Sequence, residues 1–205
     1  MVSELLPVVT VAVEGDVDEA LLRRILDHVG MSVRAVYGRK GKPFLLQSLN
    51  GYNNAARYAP WIVLVDLDRD CDCAPPCAQK WLAKPSAQMC FRVAVRAVEA
   101  WLLADRERLA QLLGVNSTWL PTNPDRLDDP KRVVIDLARR SRRRVIRDDL
   151  VPRQGSGRSV GPLYTTRMLE FLQDDTAGWR LDQALRASES LERCVRSLHN
   201  LAKTL

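Results

Sequence analysis

The sequence predicts an α/β fold: a mostly parallel, Rossmann-like sheet flanked by helices and followed by a C-terminal helical extension. Three observations predict it. Two runs, Pro7–Val13 (PVVTVAV) and Trp61–Leu67 (WIVLVDL), are dense in β-branched and apolar residues, as strands buried on both faces are. Leu21, Leu22, Ile25, Leu26 and Val29 recur at helical spacing between them. Strand-like and helix-like stretches then alternate as far as residue 115, which implies right-handed crossovers between parallel strands.

The elements follow in order. Pro7–Val13 is the first strand and ends at Glu14-Gly15. Asp16 or Asp18 can cap the helix that follows, and Gly30 stops it. Ser32–Tyr37 reads as the second strand, and residues 38–43 (GRKGKP) as a basic loop. Phe44–Tyr58 starts as a helix that Gly51-Tyr52-Asn53-Asn54 is expected to interrupt. Trp61–Leu67, the most hydrophobic run, is the central strand, with Asp66-Leu67-Asp68 at its C-terminal end. Gln88–Arg96 is a further strand, and Val98–Ala104 and Arg106–Leu113 are helices, the second closed by Gly114. Residues 1–115 are therefore read as the α/β domain. Residues 116–205 are read as a helical, arginine-rich extension packed on it in one structural unit. Within the extension, Asn116–Lys131 is loop-like, 131–150 one helix, and Gln154–Gly161 a glycine-serine loop. Leu163–Leu172 and Leu181–Leu201 are helices.

Composition narrows the function classes. Of 205 residues, 46% are hydrophobic and 27% charged, as in ordinary globular proteins. No run approaches the roughly 18 uncharged apolar residues of a membrane span. Glu4 precedes the first apolar run with no basic segment ahead of it, so a cytoplasmic protein without membrane association is expected. The net charge of +6 suits polyanionic partners, and arginine concentrates between Arg139 and Arg167. Five cysteines, an odd number, argue against a disulfide framework. Cys71, Cys73 and Cys77 lack the paired spacing of structural zinc ligands, so no zinc is expected there. Neither a Walker loop nor a Ser-His-Asp arrangement is visible.

The acids carry the chemical argument. Ligands of open parallel sheets sit beyond the C-terminal strand ends, where Glu14, Asp66 and Asp68 fall. Residues two apart on a strand point the same way, so Asp66 and Asp68 can share one cation. Magnesium needs only one or two carboxylates beside water and phosphate oxygens. The plain alternatives are a turn at Glu14-Gly15 and a helix cap at Asp66-Leu67-Asp68.

The pieces VEGDVDE (Val13–Glu19) and VDLD (Val65–Asp68) together resemble the TOPRIM signature. VRAVEAWLLAD (Val95–Asp105), YGRKGK (Tyr37–Lys42) and GSGRSVGPLY (Gly155–Tyr164) are similar to segments of an uncharacterised TOPRIM-like family of bacterial proteins, related to the TOPRIM domain of OLD-family nucleases. The resemblance covers nearly the whole chain. It implies a TOPRIM-like fold and a nuclease dependent on magnesium or manganese, in a phage-defence or DNA-repair setting. Glu14 and Asp18 would help hold one metal, Asp66, Asp68 and Glu99 would frame the pair, and Asp70 is a further candidate ligand. Lys131 would supply charge to the transition state. Arg39, Lys40, Lys42, Arg140, Arg143, Arg144 and Arg158 would bind nucleic acid, with DNA favoured over RNA. OLD-type nucleases fuse TOPRIM to an ATPase that this chain lacks, which implies a separate ATPase subunit as partner. Homo-oligomerisation stays open. The alternatives are a non-catalytic, nucleic-acid-binding or regulatory subunit and an RNA-processing TOPRIM ribonuclease. Strand passage and priming are not expected, since no second tyrosine-bearing domain and no zinc module are visible in this sequence.

Overall fold

The computed structural model describes residues 6–205. It forms two compact units: residues up to Val95 together with Glu192–Leu205, and Arg96–Leu191.

The first unit is an α/β sheet layer. Its elements are β1 (Val8–Val13), α1 (Asp16–Val29), β2 (Ser32–Gly38), α2 (Lys42–Ala55), β3 (Trp61–Asp66), α3 (Ala74–Trp81) and β4 (Met89–Ala94). Among the described residues the sheet has four strands in the order β2-β1-β3-β4, every pair parallel. Every residue of β3 is buried, and so is all of β1 after Val8, as their unbroken apolar runs require. Leu45 and Leu49 of α2, and Cys77 beside α3's partly buried Ala78, cover one face against Val63, Val65 and Val93. The chain leaves β1 toward β2 and afterwards returns past β1 to β3. Between β1 and β3 the winding therefore reverses, and a crevice opens beyond their C-terminal ends.

Two local expectations change. Gly15, rather than Asp16 or Asp18, occupies the N-cap of α1. α2 runs unbroken through Gly51–Asn54. Asn53 spends its amide on the loop before β4, accepting from the Ser86 N–H at 2.7 Å and donating to the Lys84 carbonyl at 3.0 Å. Its side chain is thus not competing for its own backbone, and its turn preference goes unexpressed. β2 closes at Gly38, which has φ +86°, and a Cβ there would lie 2.2 Å from the Val13 carbonyl oxygen. Gly38→Ala is expected to cost about 1–3 kcal/mol from the left-handed backbone, with the clash adding to it. A lower urea midpoint at unchanged m-value would show this.

The second unit is helical: α4 (Glu99–Ala104), α5 (Arg106–Leu113), 3-10 turns at Ser117–Trp119 and Pro124–Arg126, α6 (Pro130–Arg139), α7 (Arg144–Leu150), α8 (Tyr164–Gln173) and α9 (Leu181–Ala184). All six residues of α4 are buried, and α6, α9 and the second 3-10 turn surround it. Trp101 donates its indole N–H to Ser190 Oγ at 3.2 Å, and Trp179 donates to the Trp101 carbonyl at 2.9 Å. α4 is the centre of this unit, and for that reason the chain divides after β4 rather than at residue 115.

The single arginine helix expected over 131–150 is two helices. α6 ends at Arg139, Ser141 is buried, and its Oγ accepts from the Arg143 N–H at 3.0 Å. The Arg147 guanidinium donates to the Ser141 carbonyl, satisfying backbone just past the helix end. The expected helix 181–201 is also broken. Ser188 accepts from the Leu191 N–H at 3.1 Å and starts α10 (Glu189–Ala202), whose later turns belong to the sheet unit.

Candidate functional site

Glu14 and Asp66 meet at the crevice between β1 and β3. The Glu14 Oε1 accepts the backbone N–H of Asp66 at 2.7 Å. The β1–β3 ladder extends only to Ala12 and Val63, so this carboxylate links the two strands where their backbones part. Asp66 is 7% exposed. The loop after β2 folds over the same edge, with Arg39 N–H on the Val13 carbonyl and Gly41 N–H on the Glu14 carbonyl. Asp18 is buried one turn into α1, and a Cβ on Gly15 would come within 3.3 Å of its Oδ2.

Asp68 departs from the expected geometry. β3 ends at Asp66, and Asp68 has φ +49°, so the same-side rule for extended backbone stops applying. Aspartate tolerates that conformation better than most residues. The turn directs Asp68 to Lys42, at the start of α2. Lys42 Nζ lies 2.9 Å from Asp68 Oδ2, 2.6 Å from Asp70 Oδ2 and 3.2 Å from the Leu67 carbonyl. Burial opposes the Lys42 charge, but the hydrogen bonds to Asp70 and Asp68 outweigh it and raise its pKa.

The acidic edge fits a divalent cation in part. Glu14 and Asp66 both carry hard oxygen donors at the ends of the strands flanking the switch point, and one or two carboxylates suffice for magnesium with water and phosphate completing the shell. Asp68 and Asp70 are engaged by an ammonium. Among the described residues no cluster of three or more Asp, Glu, His or Cys side chains could hold a metal ion.

Cys71 and Cys77 are joined in a disulfide, a single local bridge where the odd cysteine count argues against a disulfide framework. The start of α3 folds Cys77 back over Cys71, a local closure that counting cannot foresee. It leaves Cys73 exposed, with Cys90 and Cys194 buried and unbridged. Burial pushes the Cys90 thiol up to about 12 and the Cys194 thiol up to about 11. Iodoacetamide is therefore expected to modify Cys73 in the native protein, Cys90 and Cys194 after unfolding, and Cys71 and Cys77 only after reduction. Mass spectrometry of the three samples reads the order directly.

Glu99 lies in the second unit and is 2% exposed. Its Oε1 accepts from Tyr164 Oη at 3.0 Å and faces Lys131 Nζ at 3.3 Å. Its Oε2 is buried with no hydrogen-bond partner. Glu99 starts α4, Lys131 lies in the first turn of α6, and Tyr164 starts α8, so three helix beginnings build this group. Tyr164 closes the GSGRSVGPLY segment, and sequence reasoning had given it no role.

The basic residues divide. Arg39 is tied to Glu19 at 3.2 Å and Asp16 at 3.9 Å, and Lys40 lies over the Phe44 ring at 5.0 Å. Arg144 bonds Asp148 at 3.3 Å, Arg143 packs beside Gly114, and Arg158 is exposed in the turn after Ser156. Arg140 stacks over Trp119 at 3.9 Å, and both line a cavity of about 350 Å³ with Arg142 and Asn116. Trp119 is 44% exposed. The sequence reading missed it because a tryptophan in a Pro/Asn-rich segment carries no periodic signal.

The fold and this edge define an α/β protein with acidic residues at the switch point of a parallel sheet. Compared with known protein families, curated proteins and solved structures, the chain finds no match.

Proposed function

We propose that this chain is a TOPRIM-like nuclease that hydrolyses phosphodiester bonds of DNA with magnesium or manganese, working with a separate ATPase subunit. The observation that carries the reading is the meeting of Glu14 and Asp66 at the switch point. A bound divalent ion supplies electrostatic stabilisation of the scissile phosphate and lowers the pKa of water at the site. Glu14 and Asp66 would hold it, and the short Glu14 bond to the Asp66 N–H keeps the Glu14 carboxylate at the end of β3. Lys42 positions Asp68 and Asp70 at the same edge. In the second unit, Arg140 and Trp119 offer a cation and a ring face to phosphate and base.

The test is incubation of the protein with supercoiled plasmid and with structured RNA in magnesium, manganese or EDTA. Plasmid cleavage that EDTA abolishes supports the reading, and cleavage confined to RNA turns it into a ribonuclease. No cleavage of either polymer, alone or with an ATPase partner, supports the second reading, a non-catalytic subunit. That reading is favoured by the engagement of Asp68 and Asp70 by Lys42.

Trp119→Ala is expected to weaken binding of single-stranded DNA by the value of one base stack, about 1–3 kcal/mol. Fluorescence anisotropy at fixed salt measures it. An unchanged affinity removes Trp119 from the interface.

A further inference from the structure

β4 is an edge of the sheet, bonded to β3 on one side only. The Gln88 and Ala94 carbonyls accept from Trp61 and Leu67 of the β3 segment, so even-numbered residues of β4 turn their backbone groups inward. The N–H and C=O of Phe91 and Val93 therefore point outward. Neither residue has a hydrogen bond on that side among the described residues.

A groove of about 510 Å³ runs along this edge. Four consecutive residues, Met89 to Arg92, line it, although successive side chains of a strand face opposite ways. Only a groove that follows the edge itself can touch both faces. Gln79 and Leu82, in and just after α3, wall one side, and Asn200 and Leu201 of α10 the other. All of these belong to the first unit.

Arg92 gives the groove its sign. It lies against the Cys194 thiol, its Nε is buried without a hydrogen-bond partner, and no carboxylate pairs with it among the described residues. A guanidinium lining the groove with no carboxylate beside it favours an anion there. An exposed sheet edge ordinarily recruits another strand, and a charge on it discourages uncharged partners. Together the free backbone and the unpaired charge select an extended, acidic segment.

We propose that the β4 edge binds an extended segment of a partner protein, which pairs with Phe91 and Val93 as an added strand and sets an Asp or Glu side chain against Arg92. The site is independent of the nuclease reading, and so is its test.

A random display library of short peptides is panned on the full-length protein, and enriched sequences are resynthesised with blocked termini. Alternating β-branched residues with one acid at a fixed position are expected. Hydrogen exchange of the bound protein should show Phe91 and Val93 amides gaining protection. The Cys90 and Arg92 amides, already bonded to β3, should not change. Arg92→Gln and, separately, Glu→Gln in the peptide should each weaken binding about tenfold, the value of a charge-assisted hydrogen bond. The peptide substitution leaves the protein untouched and so is free of any folding defect. Failure to enrich any sequence, enrichment without an acid, or binding that leaves Phe91 and Val93 unprotected overturns the proposal. So does protection of those amides by the protein alone as its concentration rises, which makes a second copy the occupant.

Discussion

Glu14→Gln combined with Asp66→Asn is expected to lower metal-dependent cleavage at least about a hundredfold, the effect of losing several kcal/mol of charge stabilisation. The pair is chosen because it preserves shape. A glutamine oxygen can still accept the Asp66 N–H that Glu14 accepts at 2.7 Å, so the strand ends stay linked while the charge goes. The melting temperature of the double variant in EDTA shows whether the fold is kept. Magnesium should raise the melting temperature of the unaltered protein and leave that of the double variant in place, by linkage. Asp68→Asn, at a residue held by Lys42, should have the smaller effect on cleavage. A double variant that cleaves normally would remove this edge from the chemistry.

Asp105→Ala is expected to destabilise the second unit by about 3–5 kcal/mol, the cost of breaking a buried pair from one side. Asp105 is 1% exposed and joins three segments. Its Oδ2 accepts the backbone N–H of Arg180 at 2.9 Å and the Arg180 Nε at 3.0 Å, while its Oδ1 takes Nη2 at 2.7 Å. Oδ1 also caps α5 through the Arg108 N–H at 3.4 Å. The bonds to Asp105, then Glu107, raise the Arg180 pKa above its ordinary range. Alanine leaves the guanidinium with Glu107 at 3.0 Å and a face toward solvent, which places the loss at the lower end. Urea unfolding followed by the fluorescence of buried Trp101 and Trp179 measures it. Asp105→Asn, which keeps one acceptor, should lose less. A loss under about 1 kcal/mol for the alanine variant would mean that Glu107 carries the pair.

The elements of the sheet were readable because each rests on a local pattern. Val8–Val13 and Trp61–Asp66 are buried on both faces and so are apolar throughout, and Gly30 and Gly114 stop helices in the left-handed conformation that glycine adopts freely. Helix breaks were not readable. Ser141 and Ser188 end or begin helices through bonds to Arg143, Leu191 and Asp125, and those partners are chosen by the fold. Asn53 shows the converse, a turn-former held in a helix by a loop 33 residues away.

By itself the sequence determined the α/β class, the parallel sheet and the acids waiting at its strand ends. Hydrophobic burial writes those features into residue type and spacing. Only the tertiary structure decided which acids meet. Glu14 reaches Asp66 across 52 residues, Asp68 turns away to Lys42, and Glu99 closes with Lys131 and Tyr164 inside a second unit. Such pairings depend on a few ångströms between groups far apart in the chain, and Coulomb and hydrogen-bond energies fall too steeply with distance for spacing to foretell them.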